Sequence, residues 1–189
     1  MKRFGVLIVA AIAVVGLFAQ AALAVSPHLK GRNPVVFTDN GLTLTATVSY
    51  AGLGNFDTEQ RVDATANPTA TCTNPAGATQ PPGQNPAEVD VTGSTAVPAG
   101  DIKNGNVTIT TRTDAPVTPI PGAPDCPNPP WPENITDMAF TSATISLFQD
   151  ANTNGTFEDS ELVLTVNCTF SPPTSNGSVP RSGFTCTTA

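Results

Sequence analysis

The run Leu42-Thr43-Leu44-Thr45-Ala46-Thr47-Val48-Ser49-Tyr50 decides the fold class. Apolar and hydroxyl side chains alternate through it, and a period of two turns one set toward a core and the other toward water, as in a half-buried β-strand. Asp39-Asn40-Gly41, just before it, is a turn signal, so Val35-Val36-Phe37 is expected to pair with the strand as a hairpin. Ala51-Gly52-Leu53-Gly54-Asn55 ends the strand. No Lys-Ser/Thr and no helical pattern follow these glycines, so they read as a loop and not as a phosphate cradle.

The same alternation recurs along the chain. Val62, Ala64 and Ala66 alternate with Arg61, Asp63 and Thr65 on the way to Cys72, and Ala87, Val89 and Val91 alternate with Glu88, Asp90 and Thr92. Residues 107–113 alternate after the turn Asn104-Gly105, as do residues 140–148. Leu162, Leu164, Val166, Cys168 and Phe170 share one face of a further segment, and Phe184 and Cys186 repeat their phase. Between these lie loops: 74–86, rich in Pro, Gly, Asn and Gln; 115–133, rich in proline and containing Cys126 and Trp131; and 172–177. Five or more short strands separated by turn signals predict a β-sandwich.

Lys2 and Arg3 precede an apolar run from Phe4 to about Ala19 and the small-residue site Ala22-Leu23-Ala24, so residues 1–24 read as a secretory signal peptide of bacterial type. The rival reading, an uncleaved membrane anchor, is disfavoured by the small-x-small site followed by Val25-Ser26-Pro27. Residues 25–189 are then one secreted domain with no stable membrane span. The whole sequence has a formal net charge of −7; without Lys2 and Arg3, six basic residues face fifteen acids, a charge of −9. That balance argues against nucleic acid as a partner. Four cysteines in an exported chain predict two disulfides. Three connectivities exist, and Cys72–Cys126 with Cys168–Cys186 is preferred because the last two lie on neighbouring apolar-patterned segments joined by one loop. Each bridge is expected to stabilise by about 2–4 kcal/mol.

Residues 150–161, Asp-Ala-Asn-Thr-Asn-Gly-Thr-Phe-Glu-Asp-Ser-Glu, satisfy the pattern D-x-[DN]-x-[DN]-G-x5-E in full. Calcium takes six to eight oxygens. The spacing predicts one each from Asp150, Asn152 and Asn154, a fourth from the Thr156 carbonyl, a direct or water-borne fifth from Glu158, and a bidentate pair from Glu161. Gly155 permits the sharp bend, and Phe157 is expected to tuck into the core. The flanking segments alternate at period two, so strands bracket the loop where an EF-hand has helices. Residues 148–161 resemble the EF-hand-like calcium loops that join β-strands in bacterial surface-protein modules. The resemblance implies structural Ca²⁺ and no activity, and two Asn in place of Asp suggest a weak affinity of about 10⁻⁴–10⁻³ M. More loosely, the rest of the mature chain resembles small secreted bacterial proteins of unknown function built as Ig-like β-sandwiches with a turn-rich, Cys-containing middle. That implies an all-β, Ig-like antiparallel β-sandwich with long Pro-rich loops and two disulfides.

Other candidate residues are isolated. His28, the only histidine, has no partners for catalysis or metal binding nearby in sequence. Asp90 and Glu133 form a carboxylate pair only by conjecture. Trp131, between Pro130 and Pro132, reads as a lid over the edge of the core or as a sugar-stacking aromatic. The expectation is a non-catalytic extracellular structural or interaction protein of a cell surface, matrix or adhesive assembly, with a stabilising calcium loop. The alternative is a carbohydrate-binding module using Trp131. A surface glycan or a second copy of the chain is the partner expected.

Overall fold

A computed structural model describes residues 26–80, 87–118, 126–128 and 130–189; the expected signal peptide and parts of the 74–86 and 115–133 loops lie outside the described residues. Eleven strands follow in order: β1 (His28–Leu29), β2 (Val35–Asp39), β3 (Leu44–Ala51), β4 (Thr58–Thr73), β5 (Thr79–Gln80), β6 (Val89–Val97), β7 (Val107–Arg112), β8 (Glu133–Gln149), β9 (Leu162–Phe170), β10 (Gly177–Ser178) and β11 (Phe184–Thr188). Every pairing between them is antiparallel. One sheet runs β7-β3-β2-β10, with β1 continuing the β2 side of β3. The other runs β11-β9-β8-β4-β6, with β5 returning beside the end of β4. Among the described residues no helix is long and apolar enough to cross a membrane.

The opening stretch behaves as its alternation dictates. Leu44, Ala46, Val48 and Tyr50 are buried, while the hydroxyl residues between them are half-exposed. β2 pairs with β3 through the Asp39-Asn40-Gly41 turn, whose Gly41 N–H donates to the Asp39 carboxylate at 2.8 Å. Between the sheets one apolar cluster takes Phe37 from the first and Phe140, Phe170 and Phe184 from the second. The Phe37 ring meets Phe170 and Phe184 edge-on at 4.9 and 5.0 Å between centroids, contacts worth about 0.5–1.5 kcal/mol each beyond area burial. The core also encloses polar groups in a satisfied network. The Tyr50 hydroxyl donates to Gln60 Oε1 at 2.7 Å, and Gln60 Nε2 donates to the Thr111 hydroxyl at 2.9 Å and the Ala46 carbonyl at 3.3 Å. Burial pushes the Tyr50 phenol well above its ordinary value, which keeps it a donor.

The sheets also meet along their rims. Asp114 N–H donates to the Thr92 carbonyl at 2.7 Å, and a Cβ on Gly93 would lie 2.2 Å from the Arg112 carbonyl oxygen, so only glycine lets β6 pass that close to β7. At the opposite rim, Val179 N–H donates to Phe37 O at 3.0 Å and carries the chain from β10 back toward the second sheet.

Several elements exceed their sequence patterns. β4 runs to Thr73 through Pro68, because β6 ends opposite Ala66 and β5 begins opposite Cys72, which leaves Pro68 bordered by β8 alone. Met138, opposite Pro68, gives its own N–H to Gly41 O, so the missing proline donor breaks no ladder bond there. β8 begins seven residues before the alternating segment that announces it, behind register shifts at Thr65/Ala66 and Thr69/Ala70. Leu162, expected on the buried face, is 44% exposed, since the β8–β9 register slips between Leu147 and Phe148 where β9 starts. The lead-in at His28 is pinned to the end of β3.

Both disulfides have the predicted connectivity. Cys168 and Cys186 lie directly opposite each other in the β9–β11 ladder, and their bridge packs against the main core. Cys72–Cys126 forms a separate small cluster at the end of β4, with Trp131 packed on it.

Candidate metal centre

The loop 150–161 joins β8 to β9, the two strands whose alternation flanks the motif. Its two ends are buried, Asp150 to 3% and Glu161 to 7% exposure, while the residues between them are exposed or half-buried. Burying two carboxylates requires hydrogen-bond donors, and the loop's own backbone supplies them. Asp150 Oδ1 accepts from Asn154 N at 3.1 Å and Oδ2 from Gly155 N at 2.8 Å. Glu161 Oε1 accepts from Asn152 N at 3.3 Å and Oε2 from Glu158 N at 3.2 Å, across a 3-10 turn at Asp159–Glu161. Gly155 has φ 80°, a conformation that costs other residues about 1–2 kcal/mol. Thr153 adopts φ 57° despite its branched Cβ.

The sequence-predicted ligands therefore share one small loop framework. Asn152 Oδ1 accepts from Asn154 N at 2.9 Å, and Asn154 Nδ2 reaches Glu158 Oε1 at 3.3 Å. Asn154 Oδ1 is turned to Thr156, whose N–H and hydroxyl donate to it at 2.8 and 2.6 Å. Acceptors from Asp150, Asn152, Asn154, Glu158 and Glu161 are hydrogen-bonded to each other's residues, an all-oxygen set of the kind a hard cation takes. Among the described residues no group of three or more His, Cys, Asp or Glu side chains is gathered tightly enough to hold a metal, and that includes Asp150, Glu158 and Glu161. Phe157, expected in the core, stays half-buried outside the core cluster.

Its backbone carbonyl is held by Arg61, a residue without an assigned role in the sequence pattern. Arg61 projects from the outer face of β4. Its Nη2 donates to the Phe157 carbonyl at 2.9 Å, its guanidinium lies 4.2 Å from the Phe148 ring centroid, and its Nε donates to Glu59. The Arg61–Glu59 contact is the one salt bridge among the described residues. It stands opposite Ser146 of β8, and in the sequence its alternating place marks it only as outward-facing.

The other candidates do not converge. His28 is exposed and bonds the Ser26 carbonyl at 2.7 Å. Asp90 lies opposite Thr65 and Glu133 opposite Cys72, seven residues further along β4 and so roughly 20 Å away. Trp131 is half-buried against the Cys72–Cys126 bridge, with its N–H donating to Asn128 O. At the opposite end of β8 an open hollow is lined by Asp39, Asn40, Gly41, Leu42, Thr136, Asp137 and Asn176. Buried Asp39 there takes hydrogen bonds from Gly41 N and from the Thr174 hydroxyl, which ties the 172–176 loop to the first sheet. Compared with known proteins, the chain matches no family model, no curated protein and no solved structure.

Proposed function

We propose that the chain is a non-catalytic extracellular structural or interaction protein, an Ig-like sandwich whose 150–161 loop binds calcium as a staple between β8 and β9. The observation that carries the calcium reading is the pair of buried carboxylates, Asp150 and Glu161, that close the two ends of one loop while bonded only to that loop's amides. Each carboxylate retains lone pairs for an ion, and a divalent cation would offset the mutual repulsion of Asp150, Glu158, Asp159 and Glu161. Asp150, Asn152, Asn154, the Thr156 carbonyl, Glu158 and Glu161 would hold it. With strands on both sides the ion has no helices to reorient, so its role is stiffening and not switching.

Strand order supports the Ig-like description. With β2, β3, β4, β6, β7, β8 and β9 lettered A, B, C, C′, E, F and G, the sheets read E-B-A and G-F-C-C′. Export is supported by the signal-like residues 1–24 and by two disulfides, which form in oxidising compartments. In this reading the rigid body presents surfaces for self-association or for a surface glycan. Sedimentation velocity across a concentration series in calcium, run beside a glycan array, tests it. Concentration-dependent association with no glycan signal is the expected result. Glycan binding that Trp131→Ala abolishes would replace it with the carbohydrate-binding module, and turnover of a glycan by the purified chain would contradict both.

A further inference from the structure

Arg61 stands outside the calcium motif, ninety-six residues from Phe157 in sequence, yet it is the side chain that reaches the loop from the neighbouring strand. Three contacts fix it. Glu59, on the same face of β4, takes its Nε; Phe148, at the end of β8, lies under its guanidinium plane; and the Phe157 carbonyl accepts from Nη2. Phe148 is 5% exposed although it precedes the loop on the outward side of a register shift, so the guanidinium and the loop close over an aromatic ring there. A second tie is at the loop's root, where Asp150 N–H donates at 2.9 Å to the carbonyl of Asp57, the residue just before β4. Arg61 therefore holds the middle of a loop whose ends are already held by β8 and β9.

We propose that Arg61 is a positioning residue for calcium: it clamps the peptide between Phe157 and Glu158 against the second sheet and thereby keeps the loop in its ion-competent arrangement. This rests on the calcium reading above. Glu59 compensates the guanidinium charge, so the clamp adds orientation with little net repulsion toward a cation. The apparent affinity of a site scales with the fraction of molecules already in the competent arrangement. Release of the clamp lets the 156–159 segment sample other conformations, and the four loop acids, freed to separate, favour those conformations in the absence of the ion. Arginine is suited to the task because one planar group stacks on Phe148 while its fork donates in two directions; lysine keeps the charge and a single donor point but not the planar stack and fixed fork together.

The test is a calorimetric calcium titration of wild type, Arg61→Ala and Arg61→Lys, paired with amide hydrogen exchange of residues 150–161 in calcium-free buffer. The expected result is a calcium dissociation constant about tenfold weaker in Arg61→Ala, faster exchange in the calcium-free loop, an unchanged exchange pattern in β3 and β9, and an intermediate affinity for Arg61→Lys. A purely structural role would alter global protection and leave the dissociation constant in place. An Arg61→Ala chain with the wild-type constant and wild-type loop exchange overturns the clamp while leaving the calcium reading intact. A wild-type chain that gives no calcium isotherm overturns the calcium reading, and the coupling with it.

Discussion

Two long connections flank β8, and they are tied to the body by opposite means. The one that enters it, 115–132, is proline-rich, and it is held by a covalent bond from Cys126 to Cys72, with Trp131 packed on the bridge. The one that leaves it, 150–161, contains no proline and no cysteine; its own Asx and Glu acceptors fold it around its own amides. The tie in the first joins residues 54 apart, whereas the second is held by hydrogen bonds spanning at most nine residues, plus one clamp from Arg61. The first should answer to reductant and ignore calcium. The second should do the reverse.

The largest effect is expected at the covalent loop. Chain-entropy arithmetic for a closed loop of 54 residues gives about 4 kcal/mol, so the double substitution Cys72→Ser/Cys126→Ser should lower unfolding free energy by that order, equally with and without calcium. Denaturant titration measures it, and a loss that calcium restores would break the comparison. Next comes the core to which both connections are attached. The phenol of Tyr50 is raised by burial, so the unfolded chain ionises first, near the ordinary value of 10.0. Stability is intact below that pH and should fall above it by up to about 1.4 kcal/mol for each pH unit until the folded phenol titrates. Tyr50 is the only tyrosine, so tyrosinate absorbance should appear together with loss of the native fold and at a pH indifferent to calcium. The smallest effect is Gly155→Ala. It places a Cβ in open space at φ 80° and should cost about 1 kcal/mol, confined to the loop as faster exchange of residues 150–161.

The same contrast explains what the sequence reveals. Local rules made the β2–β3 hairpin, β9 and the 150–161 loop legible, because period-two alternation and Asx-Gly turns act within a few residues. The pairing of Cys168 with Cys186 followed from a shared phase in two neighbouring segments. What escaped depends on distant partners. β4 passes through Pro68 because the strands beside it happen to stop there, and β6 continues past Gly93 because β7 crosses at that point. Arg61 reads as one more outward residue on a strand until the loop is folded against it, where it holds the backbone carbonyl of Phe157. Asp39 reads as a turn residue, yet it also accepts from Thr174, 135 positions away.

Calcium-dependent thermal unfolding tests the central claim most directly, with wild type and Glu161→Gln heated side by side in chelator and in calcium raised to about 10–100 mM. At a calcium concentration a hundredfold above the dissociation constant the stabilisation is about 2.7 kcal/mol, which for a domain of this size raises the midpoint by about 5–10 °C. The account predicts that rise in wild type and its loss in Glu161→Gln. Identical midpoints with and without calcium in the wild-type chain would contradict it.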